Sequence, residues 1–112
     1  MTDTVSKTVL LLDDNLMSAP RLQSQLELSG YLVQTATSIP QRTDPQLVII
    51  NLGSRRLNGV AQIGVCRERF PTARVVGFCG HLEVEIRRMA KDAGIDKILT
   101  NDQAFSQLIT SL

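Results

Sequence analysis

Five short runs of β-branched or leucine-rich residues recur along the chain: Thr8 to Leu12, Tyr31 to Thr35, Leu47 to Leu52, Arg74 to Phe78 and Ile95 to Leu99. The first, third and fourth are continuous rather than alternating. A strand covered on both faces reads this way, so the pattern predicts a parallel sheet held between two layers of helices. The intervals carry helical spacing. In the first, Ala19, Leu22, Leu26 and Ser29 share a face while Arg21, Gln23 and Gln25 point away, and Gly30 supplies the stop. In the third, opening after Asn58-Gly59, Ile63, Cys66 and Phe70 form one stripe before Pro71. In the fourth, Leu82, Ile86, Met89 and Ala93 form the expected apolar stripe, with Glu83, Glu85, Arg87, Arg88 and Lys91 as the wet face and Gly94 as the cap. Asp102 to Leu112 is a short closing helix.

Strands alternating with helices imply right-handed crossovers and a doubly wound α/β sheet. Ligands of such sheets collect beyond the carboxyl ends of the strands, where the strand order reverses. The residues at that edge are Asp13, Asp14, Asn51, Cys79, Gly80 and Asn101. One interval breaks the rhythm. Between Ala36 and Pro45 the chain reads TSIPQRTDP, with two prolines and no apolar stripe, so the second helix is expected as a single turn or an irregular loop. Trimming that side would bare the flank of the second strand, a place for a partner or a second copy.

Composition narrows the functions. At 112 residues the chain is expected to be one domain spanning 1–112, with room for a single core. Twelve Lys and Arg against eleven Asp and Glu leave no one-sign field for a nucleic-acid backbone or an acidic membrane. Arg55 and Arg56, in SRRLNG, are a thin footprint for either. The start, MTDTVSK, has no long apolar run, so the chain is expected to be cytoplasmic rather than exported or membrane-bound. Cys66 and Cys79 form no CxxC pair and, with the lone His81, give no zinc-ligand spacing. Three Phe, one Tyr and no Trp give little to stack bases on.

The adjacent acids of VLLLDDN are the main chemical signal. Two neighbouring carboxylates repel unless a cation or hydrogen bonds neutralise them. One reading makes Asp13 and Asp14 half of a Mg²⁺ site. The other makes one of them a cap for the first helix and leaves its neighbour solvated.

With these segments in view the chain resembles, over nearly its whole length, the CheY-like receiver domain of bacterial response regulators. The resemblance rests on VLLLDDN, LELSGYLVQTA, LVIINLGSRRLNG, ARVVGFCGH and AKDAGIDKILT. It implies a flavodoxin-like, five-stranded, (βα)5 fold, in which an aspartate ending the third strand is phosphorylated with the help of Mg²⁺. The family's acidic pair falls on Asp13 and Asp14. Its phosphoacceptor falls on Asn51, whose neutral amide is no nucleophile toward phosphorus. Its hydroxyl reporter falls on Cys79, its aromatic switch residue on Ile98 and its conserved lysine on Asn101.

These departures imply an atypical, pseudo-receiver member of two-component or phosphorelay signalling. It would be no enzyme, would need no cofactor beyond weakly held Mg²⁺ at Asp13 and Asp14, and would act by binding a protein partner or a second copy. Val84, Arg87, Arg88, Lys91 and Lys97 are the candidate partner surface. The alternative is a conventional phosphoacceptor or ion-binding receiver that uses Asp13 and Asp14.

Overall fold

A computed structural model of the chain describes residues 7–112. The elements run β1 (Thr8–Leu12), α1 (Ser18–Leu28), β2 (Leu32–Ala36), β3 (Leu47–Asn51), α2 (Gly59–Arg69), β4 (Arg74–Cys79), α3 (Val84–Asp92), β5 (Lys97–Thr100) and α4 (Asn101–Ser111). The strands form one all-parallel sheet in the order β2-β1-β3-β4-β5. The three continuous runs are the three interior strands. Every residue of β3 is buried, whereas the edge strands are less covered: no residue of β2 is buried, and in β5 only Leu99 is.

Strand periodicity divides the core into two layers. Val9, Leu11, Ile49, Val76 and Phe78 face α1 and α4, where they meet Leu22, Leu26, Ala104 and Leu108. Leu10, Leu12, Val48, Ile50 and Val75 face the other side and pack with Ile63, Cys66 and Ala90. Gly30 and Gly94 end α1 and α3 in the left-handed region, at φ 92° and 91°, as Gly stops do. The α4 helix begins at Asn101 with a capping box: Thr100 Oγ1 accepts the Gln103 N–H, and Gln103 Oε1 accepts the Thr100 N–H.

The interval between β2 and β3 holds no helix, so the fold has four helices. Arg69 of α2 donates to the Pro40 and Gln41 carbonyls, both at 2.9 Å, and Ile39 packs on the core. The loop thus adds Ile39 to the core layer that α2 and α3 cover. On the flank of the second strand and the first helix, Leu32 of β2 is 58% exposed and Leu28 of α1 is 87% exposed.

Three expectations change. Ser29, expected on the buried face of α1, is exposed at its C-cap. The stripe of α3 is Ile86, Ala90 and Ala93, with Ala90 fully buried, and Leu82 and Met89 lie 80% and 47% exposed. Leu82 precedes the helix, so helical spacing cannot be counted from it, and small Ala90 faces the sheet at close range. Glu83 and Arg87, expected on the wet face, are both half-buried.

Two side chains and a glycine bear most on stability. Arg67 donates to the Gly94 and Ala73 carbonyls and pairs with Asp96, whose carboxylate also accepts the Val75 N–H at 2.7 Å. Burial pushes the Asp96 carboxyl up, but the Val75 N–H and the hydrogen bond and charge of Arg67 outweigh it and hold it below the ordinary 3.8. A depressed carboxylate adds stability above its unfolded-state pKa and loses it as pH falls through the folded value. Urea midpoints of the wild type should therefore drop on acidification below about pH 4, and those of Asp96→Asn should drop less. Gly77, in mid-β4, lies where a Cβ would come within 2.5 Å of Leu52 Cδ1 and 2.8 Å of Ile95 Cδ1. Gly77→Ala should cost about 1–3 kcal/mol in chemical denaturation. Gly64→Ala, on α2 with nothing within 4 Å, should add roughly 0.5–1 kcal/mol.

Candidate functional site

The strand order reverses between β1 and β3, so a cleft opens beyond their carboxyl ends. It encloses about 620 Å³. Its polar wall comes from Asp14, Asn51, Ser54, Glu83 and Asn101, and its apolar floor from Phe78 and Phe105. The two rings meet edge to face, 6.0 Å between centroids. Among the described residues no Lys, Arg or His lines it.

Behind the wall Asp13 is 2% exposed, and both of its carboxylate oxygens accept hydrogen bonds. Oδ1 accepts the Asn15 N–H at 3.0 Å and the Asn51 amide NH₂ at 2.9 Å, while Oδ2 accepts the Ser18 hydroxyl at 2.5 Å. The orientation of the Asn51 amide is forced. Its Oδ1 accepts the Gly53 N–H at 3.0 Å, so its NH₂ must face the carboxylate. The amide therefore supplies, between β1 and β3, the positive end of a dipole where paired acids would require a cation.

The capping role falls to neither acid. Asn15 Oδ1 accepts the Met17 and Ser18 N–H groups at the start of α1, and Asp13 orients Asn15 from behind. Asp14 is half-buried and turns into the cleft. The two acids thus part company, one locked in hydrogen bonds and one facing the open space.

This donor set does not fit a divalent ion. Three hydrogen bonds already engage the Asp13 carboxylate, and its neighbour across the strands is an NH₂ donor, which cannot ligate. Among the described residues no group of three or more His, Cys, Asp or Glu side chains is placed to hold a metal.

Of the other residues marked in the sequence, Asn101 reaches the cleft, whereas Cys79 does not. Cys79 is 1% exposed and turns into the α2–α3 core. Burial pushes its thiol up, against the lowering charge of Arg87. Cys66 is likewise structural, its thiol pushed up to about 11 by burial. Ile98 is half-buried on β5 and packs against the same core. The sequence reading missed Glu83. Its Oε2 accepts the Gly80 N–H at 3.1 Å from inside the cleft. The spacing GHLE, a Gly three residues before an acid, was the available signal.

The candidate partner surface divides. Val84 (67% exposed), Arg88, Lys91 and Lys97 are open. Val84, Arg88 and Lys91, at i, i+4 and i+7, share one stripe of α3. Arg88 is paired along the helix with Glu85 at 2.6 Å and Asp92 at 3.9 Å. Arg87 is a correction: it turns inward, with Nη1 enclosed and without a hydrogen-bond partner. It belongs to the underside of α3 rather than to a docking face.

A response regulator of Burkholderia pseudomallei, solved with a phosphorylated aspartic acid, calcium ion and citrate, superposes at a TM-score of 0.81 and 23% identity over 96% of this chain and 66% of its own. CheY4 of Vibrio cholerae, a chemotaxis response regulator, superposes at 0.78 and 17% identity, covering 96% of this chain and 99% of that one. The fold is that of a response-regulator receiver domain. In sequence, the photosynthetic apparatus regulatory protein RegA of Cereibacter sphaeroides is 31% identical over 81 residues, 67% of this chain. The receiver-like chain spans 44% of the length of that curated relative. No protein-family model matches it.

Removing the amide donor tests this geometry. Asn51→Asp sets a second charge against Asp13 and deletes a donor, which should cost about 1–3 kcal/mol in EDTA. Millimolar Mg²⁺ should restore much of the lost Tm in the variant and leave the wild type unchanged. An equal Mg²⁺ response in both proteins would show that the amide is no obstacle to metal.

Proposed function

We propose that this chain is a phosphorylation-independent receiver domain that signals by docking a protein partner. The receiver fold supports a place in two-component signalling. The observation that carries the finer reading is the hydrogen bond from the Asn51 amide to Asp13. A nucleophile toward phosphorus needs an anionic oxygen, and the oxygen Asn51 offers is neutral and already accepts the Gly53 N–H. The incoming phosphoryl group would also face Asp14 and Glu83 in a cleft lined by no cationic side chain.

With the chemistry lost, the exposed stripe of α3 is what remains for recognition. Val84 offers an apolar contact, Met89 lies 47% exposed on the same helix, and Arg88, Lys91 and Lys97 supply charge around them. The chemistry suits a partner that carries acidic side chains around an apolar patch. Among the described residues no helix is long and apolar enough to cross a membrane, and a cytoplasmic setting is part of this proposal.

Incubation of the wild type with acetyl phosphate and Mg²⁺ should leave its intact mass unchanged. A gain of one phosphate, lost in Asn51→Ala, would refute the proposal. Partner capture from the native host should fall about tenfold or more in Val84→Glu and Arg88→Glu, with both variants still folded by circular dichroism.

A further inference from the structure

Glu83 immediately precedes α3 and is half-buried. It folds back into the cleft, where Oε2 accepts the Gly80 N–H at 3.1 Å. A methyl group built on Gly53 would lie 3.3 Å from that oxygen and 3.4 Å from Asn51 Oδ1, so Glu83 and Asn51 reach the same side of Gly53. A methyl on Gly80 would lie 3.7 Å from Glu83 Oε2 and 3.9 Å from Asn101 Nδ2. Glu83 and Asn51 thus flank Gly53, and Glu83 and Asn101 flank Gly80, with the Gly80 N–H the group that the carboxylate binds.

An anion bound at Asn51 would share the cleft that Gly53, Gly80 and Asn101 line. Backbone N–H groups at the mouth of such a sheet are its natural anion ligands. Here the exposed one is already bonded to an anion of the chain itself. We propose that Glu83 is a tethered carboxylate ligand for the cleft, occupying the place an acyl phosphate would take and holding the loop between β4 and α3 in one arrangement.

The inference rests on reading Asn51 as the former phosphoacceptor and adds the group that replaces the phosphoryl. Being covalently attached, Glu83 is present at a high effective concentration and cannot be hydrolysed away. The arrangement it holds is therefore permanent. Asp14 lines the same cleft, and Glu83 accepts the Gly80 N–H. The contact explains why the chain turns Glu83 inward, and it gives the loop a stop that depends on one side chain.

The test restores the nucleophile and then removes the tethered acid. Asn51→Asp and Asn51→Asp/Glu83→Ala are each incubated with acetyl phosphate and Mg²⁺. The introduced carboxylate oxygen forms a bond to phosphorus as the bond to the acetate oxygen breaks and acetate leaves. The double variant should be labelled about tenfold faster, as expected for removal of one nearby like charge. Equal rates, or no labelling of either protein, would overturn the inference. Labelling of the unaltered wild type would instead defeat the reading of Asn51 and is read separately.

A second measurement needs no restored nucleophile. In ¹⁵N spectra of the wild type, Glu83→Gln and Glu83→Ala, the Gly80 amide should move in both variants and exchange with solvent faster in Glu83→Ala. An unmoved Gly80 amide would also overturn it.

Discussion

One hydrogen bond, from the Asn51 amide to the Asp13 carboxylate, decides how the two central strands end. Parallel β1 and β3 lie side by side, so whatever terminates them is forced together. An acid beside an acid at that point creates a vacancy for a cation. An amide beside an acid closes the vacancy with a dipole, and the carboxylate becomes a structural acceptor that also binds Ser18 and orients Asn15. The start of α1 then depends on Asp13 through Asn15. Exchanging one oxygen for one NH₂ turns a ligand set into a scaffold.

The architecture was readable from the chain because the interior strands of a covered parallel sheet have no wet face. Continuous apolar runs at Val9–Leu12, Leu47–Ile50 and Val75–Val76 therefore marked the centre, and the weaker runs marked the edges. The two prolines between β2 and β3 correctly forbade a helix, since a ring at Pro40 or Pro45 removes an N–H and blocks the preceding turn. The identity of the capping residue was less accessible. Asn15 and the two acids before it all have cap chemistry, and only the path of the backbone decides which reaches the free N–H groups.

The helix α3 shows why the rest stayed hidden. Its stripe was projected through Leu82, which lies before the helix begins, and the projection rotated the face so that Met89 was placed inside and Glu83 and Arg87 outside. Burial in a tight helix–sheet contact favours small Ala90, which hydropathy ranks below Leu or Met. Long polar side chains such as Glu83 and Arg87 can reach inward by their stems, so a polar letter in a helical pattern does not fix which way its end group points.

No residue separates β5 from α4: Thr100 ends the strand and Asn101 opens the helix, and the Thr100–Gln103 pair closes the joint. A joint without slack transmits rather than absorbs displacement. Asn101, one of the residues that line the cleft, is also the first residue of α4, so the mouth of the sheet is joined directly to a helix that the Gln25 bond to the Phe105 carbonyl ties to α1.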